Sequence, residues 1–433
     1  MNLPSIFQNT SKYLFIIVFI LLHYFILNNL ALLSKDMVYG GATAVDLNPS
    51  PLYGFMRVPA NGLTLKHKTV DRLAADFGQI YFPSQHMPSL SSGYENPSQN
   101  QLDPWGRASR YAPLLHAICS ISLCELKYGY ASLLHVLGQL LLFYLTLFYV
   151  FKKLQIEKGF FPALLLVNIC IFLAPAGLSW FERGQFSLYV AMSYLWLMLG
   201  LIRHNKFYIF LSALFAYIKW TSFPMMFLVS MVWLLNSKHL KELKSNVILI
   251  IVFPLTIISL FVFHLELGIV FIEGLFEQEL TASPAGPSLM RIFPVLFVKA
   301  LPFLLIIVGY VNIWRYENQF NNLIPYIIGS GIVLNIYPTL AYEYGVINLL
   351  CFIPLVMYWA KPLKRDGQFI GYAVEYLFYV FLLLASFSKN IREYYDSYSI
   401  IAYGYIIFAT LITLIPVFFS STVNRKINAP IHI

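Results

Sequence analysis

Apolar residues in this chain come in long blocks separated by short polar links. Blocks fall near 13–34, 129–151, 159–177, 187–202, 207–218, 222–235, 247–263, 292–313, 322–337, 346–360, 368–387 and 398–420. A hydrocarbon core about 30 Å thick is crossed by roughly 20 apolar residues in a helix. Lipid leaves backbone N–H and C=O groups without partners, so such blocks must be helices rather than open strands. The pattern predicts an all-α, polytopic membrane helical bundle of about 12 transmembrane segments in a single domain. It divides into a first anchor helix over 13–34, an extracytoplasmic loop with an interfacial helix over 35–128, and a bundle over 129–420. The first block exceeds a signal-peptide core and lacks a small-residue cleavage site, so it reads as a retained anchor.

Basic residues orient these segments. With a cytoplasmic amino terminus, the links holding Lys152, Lys153 and Lys158, Arg203 and Lys206, Lys238, Lys241 and Lys244, Arg315, and Lys361, Lys364 and Arg365 all fall inside, as does the tail with Arg425 and Lys426. Both termini are therefore expected in the cytoplasm. Residues 207–235 must go out and return in two arms of about 13 residues, each roughly 20 Å long. That is short of a crossing, and the turn Lys219-Trp220-Thr221-Ser222 then lies in the outer half of the membrane.

The composition agrees, with 59% hydrophobic and 11% charged residues. The net charge of +9 belongs to the links and marks topology, not nucleic acid. The four cysteines show no metal or CxxC spacing, and a bridge between Cys119 and Cys124 at a five-residue helical separation is not expected. No Walker, GxGxxG, HExxH or GxSxG motif is present, so soluble-nucleotide, zinc-protease and serine-hydrolase chemistry have no support; no cofactor is called for, and the sequence does not fix a metal-ion requirement.

Candidate chemistry gathers on the outer side. Lys35-Asp36-Met37-Val38-Tyr39 puts a carboxylate at a membrane exit, as a base toward an aqueous substrate or as a solvated helix-end charge. Trp180-Phe181-Glu182-Arg183-Gly184-Gln185 supplies an acid, a guanidinium and a carboxamide, suited to phosphate or to an ordinary turn. Lys219 is an ammonium in an apolar hairpin, a functional cation or one that snorkels to the headgroups. The acids Glu266, Glu273, Glu277 and Glu279 recur at near-helical spacing and read as a solvated face.

Four stretches together resemble the glycosyltransferases of family 87, in the GT-C class. They are Asp36-Met37-Val38-Tyr39 with Ala42, Ala44, Leu47 and Leu52-Tyr53; Arg110-Tyr111-Ala112-Pro113-Leu114-Leu115; Gly184-Gln185; and Ala216-Tyr217-Ile218-Lys219-Trp220-Thr221-Ser222-Phe223-Pro224. They occur in the family's order within the first 240 residues; Met37 stands where Phe is common and Ala112 replaces a proline. The resemblance implies a GT-C-like fold and an inverting, polyprenyl-phosphate-sugar-dependent hexosyltransferase of the plasma (bacterial inner) membrane. It would move mannose or another hexose or pentose to a glycolipid or glycan acceptor on the extracytoplasmic face. Asp36 takes the place of the base, with Asp46 contesting it, and Tyr39, Arg110, Tyr111, Arg183, Gln185 and Lys219 would bind substrate and phosphate. A transporter or flippase of lipid-linked glycan, or an oligosaccharide polymerase, are the rival readings.

Overall fold

The computed structural model describes residues 3–39, 74–86, 94, 101–103, 107–234, 243–262, 265–281, 284, 286–315, 323–338, 341, 343–388 and 398–418. Every secondary-structure element among them is helical. In chain order the helices are α1 (Leu3–Tyr39), α2 (Ala75–Ser84), α3 (Pro113–Ser120), α4 (Tyr128–Lys153), α5 (Phe160–Phe172), α6 (Pro175–Arg183), α7 (Ser187–Ile202) and α8 (Lys206–Ile218). They continue with α9 (Phe223–Leu234), α10 (Leu243–Val262), α11 (Leu265–Thr281), α12 (Val295–Arg315), α13 (Ile324–Asn335), α14 (Phe352–Arg365), α15 (Phe369–Ser386) and α16 (Tyr398–Phe418). Each apolar block of the sequence falls on one or two of these helices.

Among the described residues, five helical stretches are long and apolar enough to cross a membrane: Ile17–Lys35, Tyr128–Lys153, Tyr344–Arg365, Phe369–Ser386 and Tyr398–Ile415. Two further pairs, Glu157–Leu173 with Pro175–Arg183 and Ile250–Phe261 with Leu265–Gly274, qualify only as bent spans, turning by 67° and 109°. The helices at 187–202, 206–218, 220–234, 295–311 and 324–335 are apolar but shorter. The protein is thus a membrane-embedded helical protein, with five to seven candidate spans among the described residues by length and composition. Its outer surface fits that reading. Ile20, Tyr24, Leu27, Leu141, Leu145 and Phe148 on α1 and α4 are large, apolar and exposed, arrangements that a lipid solvent favours and water penalises.

The chain's polar links sort to two ends. α4 begins at Tyr128, whose hydroxyl donates to the Ala74 carbonyl at 2.8 Å, and runs for 26 residues, about 39 Å at 1.5 Å per residue. At its far end Arg203 Nη2, just after α7, donates to the Lys153 carbonyl. Lys361 Nζ from α14 joins them by donating to the Gln155 carbonyl at 2.6 Å. The near end gathers the starts of α4 and α7 and the Lys219 turn. The end of α1 belongs there too, because the Met37 and Val38 carbonyls lie against Gly129. Asp36 therefore stands on the backbone of this end; its side chain, like that of Tyr39, is outside the described residues, and Asp46 lies outside them entirely.

Several polar groups inside the bundle are paired, as a low-dielectric interior favours. Asn29 Nδ2 donates to the Phe172 carbonyl at 2.9 Å, and Ser212 Oγ to that of Ser193 at 2.8 Å. The buried Glu375 carboxylate meets Lys364 Nζ at 2.6 Å.

One expectation is overturned outside the bundle. Cys119 and Cys124 form a disulfide, with Cα atoms 5.0 Å apart. The spacing argument presumed a continuous helix, but α3 stops at Ser120 and a 3-10 turn over Leu123–Glu125 folds the chain back on itself.

Gly129 tests how closely the first helix sits on the bundle. A Cβ there would lie 2.6 Å from the Val38 carbonyl oxygen and 2.7 Å from that of Met37. Backbone cannot swing aside, so Gly129→Ala is expected to destabilise the protein by about 1–3 kcal/mol, the range for overpacking. Thermal unfolding of the solubilised full chain measures it, and an unchanged midpoint would contradict the α1–α4 contact.

Candidate functional site

At the near end a cavity of about 310 Å³ is lined by residues from five separate parts of the chain. Asp76 and Gln79 come from α2, Arg107, Arg110 and Tyr111 from the segment before α3, and Arg183, Gln185 and Ser187 from the α6–α7 link. Lys219, Trp220 and Thr221 come from the hairpin turn, and Asn335, Tyr344 and Asn348 from the region between α13 and α14. Local chemistry places each piece. α6 ends because Gly184 adopts the left-handed conformation (φ 59°), a helix stop that glycine takes without strain. Its position also carries Gln185 back over the bundle, where Gln139 Nε2 of α4 donates to the Gln185 carbonyl at 2.7 Å. The start of α2 is pinned by Ala74, whose N–H donates to the Glu182 carbonyl at 2.7 Å. Ala74 is itself left-handed (φ 63°), a costly state for a residue with a Cβ.

Asp76 is the hub. Its Oδ1 accepts from Arg107 Nη2 at 2.6 Å and its Oδ2 from Arg183 Nε at 2.9 Å, with Gln185 Nε2 donating to the same oxygen. Burial alone would push the Asp76 carboxyl up; the Arg183 and Arg107 guanidiniums reverse this and hold it well below the usual carboxylate range. Arg107 is shared with Asp103, which accepts from its Nε at 2.6 Å and from its backbone N–H at 2.8 Å. Gln185 passes the order onward, since its Oε1 accepts from Lys219 Nζ at 2.8 Å. Lys219 Nζ also lies 5.6 Å from the centre of the Tyr111 ring, and the Arg183 guanidinium 5.1 Å from that of Tyr344, both within cation–π reach.

Tyr111 is held from behind. Its carbonyl accepts from Tyr94 Oη at 2.8 Å and its ring packs on Phe186 with centroids 4.5 Å apart. Ser109, two residues earlier, bonds His116 Nε2 at 2.8 Å. Burial pushes the His116 imidazole down to about 4, so it is a neutral strut at physiological pH.

The structure therefore brings together Arg110, Tyr111, Arg183, Gln185 and Lys219 of the residues singled out from the sequence. It adds Asp76, Arg107, Gln79, Asn335, Tyr344 and Asn348, which the motifs did not select. Asp76 and Gln79 are three apart in a short helix and so share a face, but the chain around them carries no signature of chemistry. Only the fold shows their partners, 31 and 107 residues away for Asp76. Of the acids beyond His264, Glu266 and Glu273 are exposed on α11, as a solvated face would be.

The lining holds four cations, Arg107, Arg110, Arg183 and Lys219, and one carboxylate, Asp76, with Asp103 behind Arg107. Such a cavity favours an anion. A lysine ammonium has three N–H donors, and Lys219 commits one of them to Gln185. Among the described residues no cluster of three or more His, Cys, Asp or Glu side chains forms a metal site. Fold and site together define a membrane-embedded helical protein with a cationic, carboxamide-bearing cavity at one end. No protein-family model, curated protein or solved structure matches the chain.

The Asp76 pairs carry a pH signature. A carboxyl whose folded value is depressed contributes stability that is complete above its unfolded value, near 3.8, and is lost only as pH falls through the folded value. Asp76→Asn leaves the buried Arg183 guanidinium short of its counter-charge, while Arg107 keeps Asp103, and is expected to cost about 3–5 kcal/mol. The difference from wild type should stay constant between pH 5 and 8 in thermal unfolding. A gap that closes by pH 5 would show that Asp76 is not held ionised by its partners.

Proposed function

We propose that this protein is an inverting membrane glycosyltransferase that moves one sugar from a polyprenyl monophosphate to a glycolipid or glycan acceptor. The observation that carries the reading is the cavity around Lys219: a phosphate-compatible cluster of cations at the polar end of the bundle, beside the apolar Ile218 and Trp220. A lipid-linked phosphate has its charge and its hydrocarbon at the same place, and such an end accommodates both. Carboxamides suit the sugar. Asn348 Nδ2 donates to Asn335 Oδ1 at 3.0 Å, while Asn348 Oδ1 is buried with no hydrogen-bond partner, an acceptor for a hydroxyl group.

In the proposed step an acceptor hydroxyl oxygen attacks the anomeric carbon as a carboxylate takes its proton. The bond from that carbon to the phosphate oxygen breaks with inversion, and its electron pair leaves on the phosphate. Lys219 and Arg183 stabilise the charge that grows there. The resemblance to family 87 assigns the proton to Asp36, with Asp46 the alternative. Asp76 is unsuited to that role, since its oxygens are already engaged by two guanidiniums and a carboxamide that keep it ionised and occupied. It is a positioning residue: it holds Arg183 and Gln185, and Gln185 holds Lys219. In this reading about 12 segments cross the membrane, the shorter apolar helices included, and the Lys219 end faces away from the cytoplasm.

A transporter or flippase needs a polar path across the interior. Among the described residues, the ionisable side chains within the apolar helices do not supply one. Lys299 is exposed on α12. His135 is buried near the cavity end, stacked on Phe77 with ring centroids 4.7 Å apart, and Glu375 is neutralised by Lys364.

Purified full-length protein with a labelled polyprenyl-phosphate sugar and a glycolipid acceptor is expected to consume the monophosphate donor without an energy source. Lys219→Gln should slow transfer about 100-fold, the scale for losing one charge-stabilising donor. Asp36→Asn should abolish transfer in correctly inserted protein while Asp46→Asn retains it. Undiminished transfer in Asp36→Asn would remove Asp36 from the base role. Consumption of none of the monophosphate donors by wild type would remove the function itself.

A further inference from the structure

A second cavity, of about 400 Å³, opens at the opposite end of α4 and α7, where Lys152, Lys153, Gln155, Arg203, Asn205 and Tyr208 line it. Cations are present and no carboxylate is among these lining residues. The fold sets their positions. Arg203 Nη2 donates to the Lys153 carbonyl, which holds the guanidinium against the end of α4. Lys153 Nζ lies 5.4 Å from the centre of the Tyr149 ring, and the Tyr149 hydroxyl bonds that of Tyr208 at 2.6 Å. Gln155 and His204 both take left-handed backbone (φ 57° and 49°), so the two basic links turn sharply beside one another. Arg203 Nε is buried with no hydrogen-bond partner. A buried guanidinium N–H without an acceptor is costly, and a phosphate oxygen is an acceptor that guanidinium geometry matches.

The surroundings say what carries the phosphate. Phe148 is one helical turn before Lys152 on the same face of α4, with Leu145 a turn further on, and Phe207 follows Asn205 at the start of α8; all three are exposed. A soluble phosphate compound has no use for exposed aromatic and aliphatic side chains beside its site, whereas acyl chains do. We propose that this cavity binds the phosphate of an anionic membrane lipid, with its headgroup against Arg203, Lys152 and Lys153 and its chains along Phe148, Leu145 and Phe207. This site lies at the opposite end of α7 and α8 from the Lys219 cavity, about 20 Å along α8 at 1.5 Å per residue, and does not depend on the reaction assigned there.

Native mass spectrometry of the full-length protein, delipidated and titrated with phosphatidylglycerol or phosphatidylcholine, tests it. Wild type is expected to retain phosphatidylglycerol at least tenfold more tightly than phosphatidylcholine. Lys152→Gln with Lys153→Gln changes exposed side chains that the fold does not need, and should weaken phosphatidylglycerol about tenfold or more. Arg203→Gln should do the same, while Lys158→Gln, a neighbouring cation outside the cavity, should leave binding unchanged. Equal retention of the two lipids, equal loss in Lys158→Gln, or unaltered binding in the Lys152/Lys153 variant would overturn the proposal. Glycerol 3-phosphate competing as strongly as the intact lipid would overturn the lipid as the source.

Discussion

A single buried carboxylate holds the polar end of this protein together. Asp76 arrives on a ten-residue helix that belongs to no membrane segment, and its oxygens gather Arg107 from the same loop and Arg183 and Gln185 from the α6–α7 link. Two guanidiniums brought close would repel one another, and only an anion between them makes the arrangement favourable. Through Gln185 the same carboxylate reaches Lys219, so the loop, the bent pair α5–α6 and the short hairpin α8–α9 are fastened at one point. The left-handed Ala74 at the head of α2 is a conformational cost that this network and its two backbone bonds offset.

The network also ties down the short hairpin that the sequence predicts over 207–235. α8 and α9 have 13 and 12 residues, and the turn between them is fastened at Lys219, whose ammonium donates to Gln185. Backbone groups left open by such a turn need polar neighbours, and Ser222 Oγ, donating to the Lys219 carbonyl at 3.0 Å, is one. The polar cavity and the shortened helices are thus two aspects of one arrangement. The cavity at the bundle's end is lined in part by the Lys219 turn, and the cations are tolerated there because they are bonded to one another's partners.

Charge is distributed differently at the two ends. Near Lys219 the cations are bound into a network with carboxylates and carboxamides, which gives them fixed directions. Near Arg203 they stand on links between helices, fastened by backbone carbonyls rather than by acids. The first arrangement suits recognition of one group in one orientation. The second suits a membrane surface, where lipid headgroups are abundant and orientation is set by the bilayer.

Much of the architecture was legible in the chain. Blocks of apolar residues located the helices because a lipid solvent tolerates no alternative backbone structure, and Arg183, Gln185 and Lys219 stood out because charge and carboxamide are expensive within such blocks. The Cys119–Cys124 bridge was not legible, since its geometry depends on where a helix ends. Nor was the part played by Asp76 and Arg107: in a long loop rich in acids and bases, every charge has many prospective partners, and the sequence ranks none of them. Pairing across 107 residues is settled only when helices pack and water is expelled from between particular side chains. Solvent preference is a property each residue carries alone and can be read in order along the chain, whereas a buried ion pair is a property of two residues and a shared environment, which exists only in the folded protein.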